Sequence, residues 1–299
     1  MKTNTRTQKR KISVFNIFVL ALFVLYVTAL FSVLFYGLYA SLKSKFDFID
    51  NPVTFPQWPG ELNNYALVFK YFSVKVGSKS TDPTWYVEHM FAFSCLYAVG
   101  SALAMVLATS LIAYACAMFP CKISSFLYAF VIFSMAFTVV GAQPAMLRMV
   151  MSLNIYDTFW GNWFMKFSFL NVYFLVLYEA FRGVSKEYRE AAQLDGASEL
   201  NIMIAIMFPL VMNILGSVFV IQFIGFWNDF NSPLLYLPSY PTLAYGLVRF
   251  TNANNSVQGT SNEPVKLAAS IVCIIPLLIF FLCFQKKLIG NLSAGGIKS

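Results

Sequence analysis

An all-α, polytopic membrane protein is the fold class this sequence predicts, and three observations predict it. Of its 299 residues, 59% are hydrophobic and only 11% are charged, where soluble domains carry roughly 25% charged residues. The apolar residues gather into uncharged runs near the length of about 20 residues that a helix needs to cross a bilayer. The Lys and Arg sit mainly at the ends of those runs. That placement also sets aside nucleic acid as the reason for the net charge of +8, since a nucleic-acid binder gathers its basic residues on one face.

Taken in order, residues 1–11 form a cytoplasmic tail holding Lys2, Arg6, Lys9, Arg10 and Lys11. Residues 12–42 are uncharged and form the first transmembrane helix; the run is too long for the apolar region of a secretory signal, about 7–15 residues. Residues 43–89 make an extracytoplasmic loop with prolines, scattered charge, and Trp58 and Trp85 as interface anchors. His89 is the single histidine of the sequence, has no metal partner of its kind, and takes a structural or surface role. Residues 90–285 hold five more helices, at 90–121, 123–147, around 167–178, 200–228 and 267–285. The fourth run has only 12 uncharged residues, so its helix must extend past Lys166 or Glu179. Residues 286–299 are a second tail. With six crossings, twelve of the 21 Lys and Arg fall on the amino-terminal side. The excess of positive charge places both termini in the cytoplasm.

Small residues at Gly100, Ala104 and Ala108 form a ridge permitting close helix contact, and Ser134, Thr138 and Gly141 form another. The five cysteines contain no C-x-x-C pair, so neither a zinc site nor a redox motif is expected. No catalytic residue and no metal ligand set is predicted. There is no G-x-x-x-x-G-K-[ST] loop to cradle nucleotide phosphates, no H-E-x-x-H, and no paired intramembrane carboxylate.

The informative segment is the cytoplasmic loop 183–207. It reads as a short helix capped by Ser185, a turn at Asp195 and Gly196, and a second helix entering the membrane. Ala191 and Ala192 are small enough to seat deeply in a groove on another protein, and Glu190 offers that partner a carboxylate. This segment resembles the EAA motif of bacterial ABC importer permeases. Glu190, Ala191 and Ala192 are followed by Gly196, Ile206 and Pro209 at the family spacing, with Phe208 where Leu is usual. The stretches from Gln222 to Phe230 and from Phe284 to Lys298 look like the shorter permease of maltose-type carbohydrate importers. The resemblance covers roughly residues 90–299.

That resemblance implies an ABC type I importer permease fold in the bacterial cell membrane. It also implies a second permease subunit forming a heterodimer, two ATPase subunits, and an extracytoplasmic solute-binding protein delivering a sugar or oligosaccharide. ATP and magnesium would be held by the ATPases, with no cofactor on this chain. Glu190, Ala191, Ala192, Asp195, Gly196 and Pro209 would couple to the ATPase; Gly295, Gly296 and Lys298 in the tail would reach between its subunits. On the fifth helix, Asn213, Ser217 and Asn228 fall within a narrow arc and are candidates for the translocation path. Gln222 and Asp229 share the opposite side, where Asp229 is read as structural or capping. A non-sugar solute is the alternative within this class. An ion-coupled secondary transporter is the alternative outside it, and predicts repeated halves that the sequence does not display.

Overall fold

A computed structural model describes residues 14–57, 60–77, 82–137, 141–252 and 262–294, with side chains as far as Gln285. Gly295, Gly296 and Lys298 lie outside the described residues. The chain divides into two compact units, one of residues 1–68 and 255–271 and the other of 69–254 and 272–299.

In the first unit, α1 (Val14–Ala40) is apolar around its whole circumference and buries only Ala40, the pattern of a helix whose surroundings are themselves apolar. Beyond it the chain is tied by polar contacts. Asn64 donates its amide to the carbonyls of Ser41 and Lys43, each at 2.8 Å. The buried Lys43 ammonium bonds the Asn51 carbonyl and Thr54 Oγ1 and lies 3.9 Å from Asp47. The short helix α2 (Lys45–Asp50) is capped by Ser44, whose hydroxyl accepts from the Asp47 amide. Helix α3 (Asn63–Tyr71) follows.

The second unit opens with a two-stranded antiparallel hairpin, β1 (Ser73–Lys75) and β2 (Thr84–Tyr86). It then enters α4 (Val87–Met118), whose 32 residues reach about 48 Å. Helix α4 is the spine: α7 (Phe159–Lys166), α8 (Val172–Arg182) and α11 (Phe208–Trp227) all pack on it. Between these come α5 (Lys122–Ala136), α6 (Gln143–Ser152), α9 (Glu187–Leu194) and α10 (Glu199–Ile202). Helices α12 (Asn231–Tyr236), α13 (Leu243–Asn252) and α14 (Glu263–Ala294) complete the chain.

Among the described residues, four helices are long and apolar enough to cross a membrane: 14–40, 87–118, 199–227 and 263–285. The other two expected spans differ from the sequence reading. The run 123–147 does not stay helical throughout, because α5 ends at Ala136 and α6 begins at Gln143. Gly141 at φ +82° and Pro144 at the start of α6 account for the restart. The 15 residues of α5 reach about 22 Å, short of a hydrocarbon core of about 30 Å. At the fourth run, 167–178, no single long helix forms either: α7 ends at Lys166, just before the run, and α8 begins within it at Val172. Helix α8 extends past Glu179 to Arg182 and starts at an Asn171 cap, whose amide also donates to Thr109 of α4 at 3.0 Å.

The small-residue ridge on α4 has a specific occupant. A Cβ at Gly100 would fall 2.2 Å from the Trp163 indole of α7, so only glycine lets that ring lie flat on the helix. Gly100→Val is expected to lower the melting temperature of the purified protein through an overpacking cost of about 1–3 kcal/mol. Gly216→Val, at a position with nothing within 4 Å, should have little effect in the same measurement.

Candidate functional site

The loop between α8 and α11 is built as a brace. Ser185 Oγ accepts the Glu187 amide at 3.3 Å, so it ties down the start of α9 from one position earlier than the Lys186 that flanks the helix. Gly196 ends α9 with φ +80°, the left-handed turn that glycine adopts without strain. Ser198 then caps α10 through the Asn201 amide.

From α10 the chain runs without interruption to Trp227, through a π-helical turn at Met203–Met207. Pro209 supplies the reason. It has no N–H to donate and its ring crowds the preceding turn, and the wider π turn, with the Phe208 amide bonded to the Met203 carbonyl, absorbs the mismatch.

The two alanines of the motif separate. Ala192 is buried in the chain's own core with Ile202, Met203 and Phe181, so it is not part of an outward docking face as the sequence suggested. Neighbouring residues on a helix point about 100° apart, and when Ala192 turns inward Ala191 turns out. Glu190, Ala191 and Asp195 are exposed, and Leu194 is 90% exposed. Glu190 makes no ion pair among the described residues. Phe208, the larger residue at the motif's leucine position, packs against Tyr114 and Phe181 at 6.5 and 5.7 Å between ring centroids.

The side chain that holds this loop together is Arg189. Its guanidinium grips Glu199 with two nitrogens, at 2.7 and 3.3 Å, donates to the Met118 carbonyl at 3.4 Å, and stacks over Phe119 at 4.4 Å. One planar cation thus joins α9, α10 and the end of α4. The hydrogen bonds to Glu199 raise its pKa further above the usual guanidinium value, so it stays charged at any physiological pH. Sequence reasoning missed the pair because positions 189 and 199 lie across a turn, at no helical spacing.

On α11, Asn213 and Asn228 are exposed and Ser217 is partly so. Ser217 Oγ donates to the Asn213 carbonyl and Asn228 to the Ile224 carbonyl, bonds to their own helix that lower the cost of placing them in an apolar setting. Asp229, on the other side, anchors a second polar cluster. Its Oδ2 accepts from the Tyr97 hydroxyl at 2.7 Å and lies 3.8 Å from the Lys166 ammonium. Its Oδ1 accepts the Ser232 amide, so Asp229 also caps the approach to α12. Lys166 completes the ring by donating to Ser232 Oγ at 2.9 Å and lying over Phe226.

No protein-family profile matches the chain, but individual relatives do. The melibiose/raffinose/stachyose import permease protein MelC of Bacillus subtilis is 28% identical over 66% of this chain and 71% of its own length. The sulfoquinovosyl glycerol transport system permease protein SmoH of Agrobacterium fabrum is 26% identical over 87% and 86%. The trehalose/maltose transport system permease protein MalG of Thermococcus litoralis is 26% identical over 84% and 85%. Among solved structures, a bacterial ABC transporter involved in importing the acidic polysaccharide alginate superimposes with a TM-score of 0.75 at 20% identity, covering 94% of this chain and 99% of that one. The chain has the fold of an ABC importer permease and is a relative of such subunits. Those relatives are transport permeases, and helices long and apolar enough to cross a membrane are present among the described residues.

Proposed function

We propose that this chain, as a relative of ABC-importer permeases, is one of two permease subunits in an ATP-driven, binding-protein-dependent importer of a sugar or oligosaccharide. The named relatives import oligosaccharides and glycosides, which favours that solute class. Both termini and the 183–207 loop are cytoplasmic in this reading, and the chain crosses the membrane six times with α5–α6 and α7–α8 as its broken passes. Two ATPases, holding ATP and magnesium, grip the loop from below, while an external binding protein delivers solute from above. Asn213, Ser217 and Asn228 line the path or face the second permease.

The observation that carries the proposal is the outward presentation of Glu190, Ala191 and Leu194 on a helix that Arg189 fixes from behind. A loop serving only to connect two helices has no need of an apolar side chain 90% exposed beside a carboxylate that makes no ion pair among the described residues. An ATPase groove with a basic rim would take both, pairing its Arg or Lys with Glu190 and burying Leu194.

The decisive experiment assembles the transporter with Glu190→Lys and with Glu190→Ala. The Lys variant is expected to lose ATPase association, and the Ala variant to keep weak association with transport-coupled hydrolysis reduced about tenfold. Wild-type association and coupling in both variants would overturn the proposal.

A further inference from the structure

Helix α7 carries two polar side chains, Asn162 and Lys166, at positions about one helical turn apart and so on one face. Only one of them is engaged. Lys166 donates to Ser232 Oγ and faces the Asp229 carboxylate at 3.8 Å, an ion pair too long to be a hydrogen bond. Asn162 is 2% exposed, and neither its amide nitrogen nor its amide oxygen meets a hydrogen-bond partner among the described residues. It lies close to the Tyr97 hydroxyl but outside hydrogen-bond geometry. That hydroxyl is the one that donates to Asp229 Oδ2, at 2.7 Å. An idle amide thus stands next to the donor of a carboxylate whose counter-charge comes from the same helix face.

The arrangement is costly as it stands. A buried amide without partners loses its hydration and receives nothing in return, and a leucine of nearly the same volume would fill the place without that loss. A polar group kept in this condition points to a second arrangement in which it is used. The cluster shows what would use it. Lys166 is the last residue of α7, whereas Asp229 and Ser232 belong to the junction of α11 and α12. A displacement of α7 against that junction draws the ammonium away from the carboxylate, and an enclosed carboxylate that loses its counter-charge needs another donor. It has room for one: a carboxylate accepts up to about four hydrogen bonds, and among the described residues Oδ2 accepts only from Tyr97.

We infer that Asn162 is a reserve donor to Asp229: when Lys166 withdraws, the Asn162 amide takes its place, and α7 can move against α12 without stranding a buried charge. The contact between α7 and the α11–α12 junction then has two positions, one held by an ammonium and the other by an amide, the kind of discrete alternative through which packed helices shift. The inference concerns this chain's own side chains and is the same for any solute and any partner, so it stands apart from the function proposed above.

The test compares thermal unfolding of the full chain, in one detergent and followed through a fluorescent tag, for the wild type, Asn162→Leu, Lys166→Met and the double variant. In the wild-type background Asn162→Leu should raise the melting temperature by about 2 °C, because it removes an unbonded amide. In the Lys166→Met background the amide has become the donor, and the same change should lower the melting temperature by about 2–4 °C. Opposite signs in the two backgrounds are the signature of the exchange. Equal shifts in both overturn the inference. So does a fall of several degrees from Asn162→Leu in the wild-type background, which would mean that the amide is already bonded while Lys166 is in place. Asn162→Ala repeats the comparison if leucine is not accommodated: its cavity cost is common to both backgrounds and cancels in the difference, and an equal effect in the two would again overturn the inference.

Discussion

Replacing Arg189 by methionine is expected to uncouple hydrolysis from transport while leaving the chain folded and inserted. The substitution keeps a long apolar side chain over Phe119 but removes the donors that hold Glu199 and the Met118 carbonyl. The brace is partly open to solvent, so its loss should cost stability only about 1–2 kcal/mol. Function is affected more, because α9 can transmit a displacement to α4 only while the two move together. Side chains that carry such linkage without touching either partner alter coupling by roughly 3- to 30-fold. Measurement of solute imported per ATP hydrolysed in reconstituted vesicles checks this. Arg189→Lys should recover only a fraction of the loss, since an ammonium cannot span Glu199 with two parallel bonds or stack on Phe119 as a plane. A transport-to-hydrolysis ratio at the wild-type value in Arg189→Met would show that the loop moves without this brace.

The second large effect concerns Lys166 and Asp229. Asp229→Asn leaves the half-buried ammonium of Lys166 facing Phe226 and Ser232 with no counter-charge, and stability should fall by about 2–4 kcal/mol, somewhat below the cost of breaking a fully buried pair. Lys166→Met is expected to cost less, because Tyr97 and the Ser232 amide still donate to the carboxylate. The double variant should recover much of the loss, giving a coupling energy of opposite sign to the single effects. Denaturation of all four proteins in one detergent supplies the cycle. Additive losses would mean that the two charges act independently.

Much of this architecture can be read from residue order, and the unread parts have physical reasons. The runs behind α1, α4 and α11 are long, uncharged and free of interior glycine–proline pairs, so their helices follow from composition. The run 123–147 looks equally apolar, yet Gly141 and Pro144 interrupt it; hydropathy weighs both as nearly neutral, and the break is a matter of backbone geometry. The loop's turn was legible because Gly196 marks it locally. Its internal brace was not, since Arg189, Glu199, Met118 and Phe119 come from three elements whose meeting depends on tertiary packing. The Lys166–Asp229 contact was hidden in the same way: each residue reads alone as an end-of-helix charge, and only the fold brings them within 3.8 Å. Of the alanines in the motif, spacing located both but could not say which faces inward.

The π turn at 203–207 sets the rotational phase of everything beyond it. One extra residue per turn there swings the downstream wheel by about 100°, so the azimuth of Asn213, Ser217 and Asn228 is dictated by a segment that lies well before them. Excising a single residue between Met203 and Met207 would re-wind the turn as ordinary α-helix and leave that trio aimed as before, whereas straightening the turn with every residue kept would swing all three toward a different neighbour.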